Sequence, residues 1–507
     1  MSMFKKTKLA AAIASAGCAL IAGQASAVYV NEDGLGQALI YPYYTVRGDN
    51  MTLLSVVNTT NNAKIVKVRF REGKNTSDVL DFNLFLSPQD VWTGAVVATT
   101  DGARVVSNDN SCVTPSDLFT EARTDPNGLA LNAFKNYQYT GTNLDAAAFS
   151  SLDRTREGYF EVIEMGVVID AKIQGYIKHG STGVPANCAA LDALDPGSGN
   201  AVIFPNIGVF LNPPLGGLAG RASIINATTG ANYTTDSTAV DAWSNAVNYS
   251  QAGFITPSLS AVAPSTSNVF TGGGVVQATW TASRDAMSAA IMRDTMMNEF
   301  ILDTGTASLT DWVITFPTKR DYVSAGNGNA AQPFANNFPN STTGACDPYG
   351  IAVYNREEQT TTAAPNVILP SPRPPVSTPV GAQLCWEANV VPFGASSLLG
   401  STNTNALVSP FNTFVLGATT TGAALTTPAL RATQGPNGWF LMSFQANTAP
   451  SIQRTIAPTA FTGPVAVTTG VHVGLPVIGA MFHNYNRAGV VSSYGGVIGH
   501  KYTRQIL

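Results

Sequence analysis

The sequence predicts a mainly β protein, an antiparallel β-sandwich fold with a few inserted helices. Two observations carry that expectation. Between Gly36 and Val97, five short strand-like runs are separated by turns at a spacing of about 8 to 12 residues. Only 12% of the residues are charged, and Thr, Asn, Ser and Gly supply the polarity instead. Aromatic residues make up 9% and are scattered along the chain, which indicates packed cores rather than a disordered stalk.

The elements follow in order. Gln37 to Val46 and Met51 to Thr59 are β-like, joined by Arg47-Gly48-Asp49-Asn50, where Gly and Asn suit a hairpin turn with positive φ. Ile65 to Phe70 alternates, with Val66, Val68 and Phe70 on one face and Lys67 and Arg69 on the other. That is the pattern of a strand with one wet face. Val79 to Leu86 places Phe82 and Leu84 inward and Asp81 and Asn83 outward. Ser87-Pro88-Gln89-Asp90 turns into Val91 to Val97. Five such strands read as immunoglobulin-like in architecture, which by itself implies no function.

Beyond this block the signals alternate. Leu144 to Leu152 is a short helix candidate, and Tyr159 to Asp170 returns to strand character. Leu54-Ser55-Val56-Val57-Asn58-Thr59-Thr60 is echoed by Ala222-Ser223-Ile224-Ile225-Asn226-Ala227-Thr228, which reads as coincidence or as a duplicated sandwich. Asp236 to Val247 carries Val240, Trp243 and Val247 at helical spacing. Ser283 to Leu302 opens on a capping serine and sets Met292, Met296 and Phe300 at i, i+4 and i+8. Asp311 to Phe316 is a strand ending at Pro317. Cys346 to Glu358 and Gln383 to Val391 flank a Pro/Thr-rich stretch with Pro370, Pro372, Pro374, Pro375 and Pro379. From Asn389 onward short apolar runs between Gly, Thr and Asn clusters read again as β.

The first 27 residues read as a secretory signal. Lys5, Lys6 and Lys8 precede an apolar run from Leu9 to Ala22, and Ala25-Ser26-Ala27 fits the peptidase rule. A rival reading is lipidation at Cys18 after Ala16-Gly17. Removing the three lysines of the signal from 28 basic residues leaves 25 against 32 acidic, a net charge of −7. That argues against non-specific nucleic-acid binding. The expected division is a signal peptide over 1–27, an N-terminal β-sandwich domain over 28–232, and a C-terminal β-rich domain over 233–507 with helices at 236–247 and 283–302. No later stretch offers a clean transmembrane helix. The nearest, Phe461 to Phe482, is broken by Pro464, His472 and Pro476 and reads as one or two buried strands.

Four cysteines follow the signal: Cys112, Cys188, Cys346 and Cys385. An even count in an exported chain suggests disulfides, and sequence order favours Cys112 with Cys188 and Cys346 with Cys385.

Motifs for chemistry are weak. His179, His472, His483 and His500 form no H-x-x-x-H pair, so no metal is expected. Asn31-Glu32-Asp33-Gly34 lacks the first acid of a calcium loop and reads as a turn. No nucleophile elbow is present, and Gly34-Leu35-Gly36 is not completed as a dinucleotide fingerprint, so neither catalytic residues nor a cofactor are expected. Glu157, Glu161, Glu164 and Asp170 cluster on one strand-like run and could form a glycosidase pair. Glu161 and Glu164 fall on opposite faces, however, so at least one should be solvated. Arg47-Gly48-Asp49 matches an adhesion tripeptide displayed at a hairpin tip. Tyr41, Tyr43, Tyr44, Trp92 and Trp312 could stack on sugars.

The reading that follows is an exported, non-enzymatic envelope or surface protein with a structural, adhesive or assembly role. Its partners would be other envelope components or glycans. The alternatives are a secreted carbohydrate-binding or carbohydrate-active protein and an outer-membrane β-barrel.

Overall fold

The structure is a computed structural model that describes residues 26–120, 123–141, 150–192, 210–303, 305–323, 331–336, 344–355, 383–393, 396–404, 437–444, 454–486 and 493–507. The apolar run of the signal with Cys18, most of the Leu144 to Leu152 helix and the proline-rich stretch lie outside the described residues.

The strands of the first half are β1 (Tyr29–Val30), β2 (Ala38–Thr45), β3 (Asn50–Asn58), β4 (Lys64–Glu72), β5 (Asp78–Leu86), β6 (Val91–Ala98), β7 (Ala103–Val106), β8 (Val113–Thr114), β9 (Glu157–Val168), β10 (Leu211–Asn212), β11 (Leu218–Asn226), β12 (Ala231–Asp236) and β13 (Thr238–Asp241). They form two antiparallel sheets. An eight-stranded sheet runs β1-β13-β2-β9-β4-β5-β8 with β10 on β9, and a five-stranded sheet runs β12-β11-β3-β6-β7. Alternation makes this pairing possible. Val66, Val68, Phe70 and Phe82 from the larger sheet meet Leu54, Val56, Trp92 and Val96 from the smaller in one buried cluster. The hairpin between β2 and β3 is tight: Gly48 and Asp49 have φ of 59° and 63°, and Asn50 N donates to Arg47 O at 3.1 Å. Positive φ thus falls on Gly48 and Asp49, the two central positions of a type I′ turn.

The second half adds β14 (Thr266–Thr271), β15 (Gly274–Thr279), a helix Ser283–Ile291, β16 (Met292–Arg293), β17 (Thr295–Ile301), β18 (Thr310–Thr315), β19 (Asp347–Pro348), β20 (Gly350–Asn355), β21 (Gln383–Leu384), β22 (Ala388–Pro392) and β23 (Asn437–Ser443). Then come β24 (Thr455–Ile456), β25 (Ala460–Thr462), β26 (His472–Val473), β27 (Leu475–Pro476), β28 (Ile478–Asn486), β29 (Ser493–Gly499), β30 (Lys501–Thr503) and β31 (Gln505–Ile506). Two four-stranded sheets, β22-β18-β28-β29 and β20-β23-β17-β30, dominate. One buried cluster contains Tyr43, Tyr159 and Ile163, the helix residues Ala286, Met287 and Ile291, and Val313, Ala480 and Phe482, so strands of both halves share it. Each of its fully buried Val, Ile, Met and Phe side chains contributes about 1.5–3 kcal/mol.

The structure corrects several expectations. Asp236 to Val247 is not helical: β13 fills the gap between β1 and β2, pairing Val240 with Val30 and Ala38. Trp243 is buried in the same cluster as Val240, its Nε1 donating to Leu259 O at 2.8 Å. The helix expected over 283–302 stops at Ile291, with Ala282 rather than Ser283 at its N-cap. Met296 and Phe300 lie in β17. A spacing of four satisfies both a helix face and a strand face, so the apolar stripe could not separate them. The β4 face carrying Lys67 and Arg69 is dry, both side chains having 0% exposure. Asn83 is equally buried. Within Phe461 to Phe482, β25 is largely exposed, whereas β27 and β28 as far as Phe482 are buried apart from Gly479. The echoed segments are neighbours in one sheet, Leu54 pairing with Ala222. Asn58 and Asn226 close similar turns, accepting from Thr60 N and Thr229 N at 3.1 and 3.0 Å.

Two disulfides are formed, Cys112–Cys188 and Cys346–Cys385. No helix among the described residues is long and apolar enough to cross a membrane.

Candidate functional site

The structure buries three of the sequence's candidate carboxylates, Glu157, Glu161 and Glu164, in separate networks, and sets Glu161 in a layer of charge. Arg71 reaches Asp78 at 3.0 Å and Glu161 at 3.0 Å, Arg69 reaches Glu161 at 3.4 Å, and Lys67 reaches Asp81 at 3.2 Å. Water is excluded by the segment 244–260, whose carbonyls take its place. Lys67 Nζ donates to Gln251 O at 2.7 Å, and Arg69 Nη1 and Nη2 donate to Pro257 O and Phe254 O at 2.6 and 3.2 Å. This is why an alternating polar strand face is not wet: a strap of backbone carbonyls satisfies its cations.

Glu164 stands on the opposite face, as the odd spacing requires, yet it too is fully buried. It accepts from Lys64 Nζ at 2.6 Å, Leu215 N at 3.1 Å and Gly216 N at 2.9 Å. The expectation that one of this pair is solvated therefore fails. Asp170 caps the helix Ala171–Ile177, accepting from Lys172 N and Ile173 N at 3.0 and 2.9 Å.

Glu157 is the most connected of the group. Oε1 accepts from Arg47 Nε at 2.6 Å, Thr402 N at 2.9 Å and Thr402 Oγ1 at 2.7 Å. Oε2 accepts from Tyr43 OH at 2.8 Å and from Ser401 Oγ. Its side chain has 0% exposure. The loop it grips is held at its other end by Asp311, whose Oδ2 accepts from Ser397 Oγ at 2.6 Å and Leu399 N at 3.0 Å. One loop thus ties β9 of the first half to β18 of the second, a link hidden in the sequence because Thr402 lies 245 residues from Glu157.

Asp311 carries a testable cost. Burial raises it to about 6, against the hydrogen bonds from Ser397 and Leu399, and its Oδ1 has no partner. A raised carboxyl binds its proton in the folded state, so stability falls as pH rises from the unfolded value near 4 to about 6. Asp311→Asn, keeping the acceptor toward Ser397 and Leu399, is expected to remove that slope. It should raise stability at pH 8 by roughly 2 kcal/mol, read from urea midpoints at pH 4 and pH 8.

A cleft of about 680 Å³ opens between the Asn31–Gly34 turn, β11 and the C-terminal strands, lined by Glu32, Arg221, Arg293, His500 and Tyr502 among others. Arg293 Nη1 donates to Met292 O at 2.8 Å, and its guanidinium lies 3.8 Å from the Tyr502 ring centroid. Burial and neighbouring Arg504 lower it to about 9. The Asn31–Gly34 segment is a turn, closed by Gly34 N on Asn31 O at 3.0 Å. His472 and His500 are held neutral by burial, lowered to about 4 and about 3. No three metal-ligating side chains converge among the described residues.

The tripeptide Arg47-Gly48-Asp49 sits at the hairpin tip, but Arg47 is engaged by Glu157 and by Asp153 at 2.8 Å, leaving its side chain 11% exposed. The aromatics singled out as sugar platforms, Tyr41, Tyr43, Tyr44, Trp92 and Trp312, are all core, none above 1% exposed. The surface offers a different pair. Trp439 on β23 stacks on Tyr354 of β20 at 4.3 Å and 14°, with Trp439 39% exposed and Glu299 directly across from it on β17. Nothing in the sequence separates Trp439 from a core tryptophan except its alternation with Phe440 and Met442, which are buried.

Neither a protein-family model, nor a curated protein sequence, nor a solved structure matches this chain.

Proposed function

We propose that this is an exported, non-enzymatic protein of the cell envelope or surface, with a structural, adhesive or assembly role. The observation that carries the reading is the fate of the β9 carboxylates. Glu157, Glu161 and Glu164 are fully buried and each is bound by one or more cations; Glu161 borders a cleft of about 220 Å³, where its Oε1 is taken by Arg69 and Arg71. Groups so paired hold strands and loops together. Two disulfides fit an oxidising compartment, as does a leader of signal-peptide type. The test is a screen of the purified chain against polysaccharide and ester substrates. No turnover is expected. Turnover that disappears when one of these glutamates becomes alanine overturns the reading.

The Tyr354–Trp439 stack favours a second reading, carbohydrate binding. An exposed indole beside a carboxylate offers a sugar both an apolar face and a hydrogen-bond acceptor. If it holds, specific retention on a glycan array falls at least tenfold in Trp439→Ala while the folded fraction is unchanged. Absence of retention on any glycan rules this reading out.

A further inference from the structure

A second cluster of buried charge lies beneath the Cys346–Cys385 disulfide, and its geometry differs from an ordinary ion pair. Lys319, Asp347, Glu387 and Arg454 are all buried to 1% exposure or less. Lys319 Nζ donates to Ala345 O at 2.6 Å and Leu384 O at 3.4 Å, the carbonyls just before the two cysteines. It stands 3.5 Å from Asp347 Oδ2. The two oxygens of Asp347 are treated differently. Oδ1 accepts from Ala335 N at 2.9 Å and Arg454 Nη1 at 3.3 Å, whereas Oδ2 has no hydrogen-bond partner. Both carboxyl oxygens of Glu387 are buried with none either. The Glu387 backbone borders the segment leading to Lys319, Phe316 N donating to Glu387 O at 2.7 Å, and Lys319 acts on the Glu387 carboxyl through space. Phenyl rings of Phe316 and Phe334 lie 5.4 and 5.5 Å from Nζ.

We propose that Lys319 and Asp347 condense to an intramolecular isopeptide bond, with Glu387 as the proton carrier. Lys319 passes one proton to Glu387, and its free amine attacks Asp347 Cγ. The new C–N bond forms as the Cγ–Oδ2 bond breaks. Oδ2 leaves as water with one proton from the amine and one from Glu387, which returns to its starting state. One ammonium and one carboxylate become one amide and one water, and nothing is oxidised or reduced. The donors on Oδ1 are placed where negative charge gathers in the tetrahedral intermediate. Burial lowers Lys319 against the pull of Asp347 and Glu387, and burial raises Glu387 well above the usual carboxylate range despite Lys319. Both shifts favour the neutral amine and the protonated carrier that the step requires.

The molecule holds its own comparison. Lys64 and Glu164 are as deeply buried and closer, at 2.6 Å, but both oxygens of Glu164 are occupied by donors, and Glu164 has Lys64 as its ion-pair partner with no second carboxyl in the set. That pair lacks an unpartnered oxygen to leave and a group to carry the proton, and it should stay ionic.

The test is peptide mapping by mass spectrometry of the reduced, denatured full chain. The expected result is one species joining the Lys319 and Asp347 peptides, lighter than their sum by one water, with no tryptic cut after Lys319, and with fragment ions that show the chain cut after Arg320 and the link on the two side chains, since an uncut 294–356 stretch has the same mass. In Lys319→Arg the Asp347 peptide should appear free at full mass. In Glu387→Gln, with Lys319 and Asp347 intact, the joined fraction should fall at least tenfold. Separate full-mass peptides from the unaltered chain, with trypsin cutting after Lys319, overturn the proposal. A fully joined Glu387→Gln chain overturns the role given to Glu387.

Discussion

Replacing Glu157 with alanine is expected to cost about 3 to 5 kcal/mol of folding free energy. The magnitude follows from what the change leaves behind. Arg47 loses the carboxylate that holds its Nε at 2.6 Å, and Tyr43, Ser401 and Thr402 lose their acceptor inside a site with no exposure. A buried group stripped of its partner pays its full desolvation, about 1–3 kcal/mol for each neutral donor that cannot reach water. The loop over 397–404 should then loosen from β9 while Asp311 still grips Ser397. Limited proteolysis should cut there first. Ser401→Ala, which removes a single donor, should cost only about 1 kcal/mol and leave the loop resistant. Equal losses in the two variants would mean that Glu157 is not the anchor described here.

Opening the disulfides should have an effect of similar size. Cys112–Cys188 closes a separation of 76 residues and Cys346–Cys385 one of 39. On the chain-entropy relation each contributes about 4 kcal/mol by restricting the unfolded chain. Cys112→Ser with Cys188→Ser, and separately Cys346→Ser with Cys385→Ser, should each lower the denaturant midpoint. The first pair is the more informative, because Cys112 belongs to a buried cluster with Ile65, Phe85, Met165 and Ile173 that anchors the helix Ala171–Ile177. Protein that folds to the same midpoint in reductant contradicts the expectation.

The strands from β2 to β6 were legible because β4 and β5 alternate in sequence and turns of recognisable chemistry, such as Gly48-Asp49, separate the runs. What the sequence hid was mostly non-local. Lys67 and Arg69 look solvated until the 244–260 strap, far along the chain, is laid over them. Met292, Met296 and Phe300 fit two periodicities at once, and tertiary pairing of β17 with β23 decided between them. Val240 and Trp243 matched a helix by spacing, but the open position between β1 and β2 selected a strand. The glutamates of β9 were visible as a cluster. Their inertness was not, because Arg47, Lys64 and Arg71 lie 110, 100 and 90 residues away from Glu157, Glu164 and Glu161. Trp439 could not be told from a core tryptophan without knowing which face of β23 is covered.

The proposed role places the chain outside the cell's inner compartment as a structural or adhesive component. Fractionation of the native cells, with protease shaving of intact cells and detection of this chain, tests it most directly. The account predicts a chain that sits at the surface, is shaved from intact cells and resists washing. A chain recovered in the cytoplasmic fraction would contradict export, and one soluble in the periplasm or the medium, untouched by shaving, would contradict the surface role.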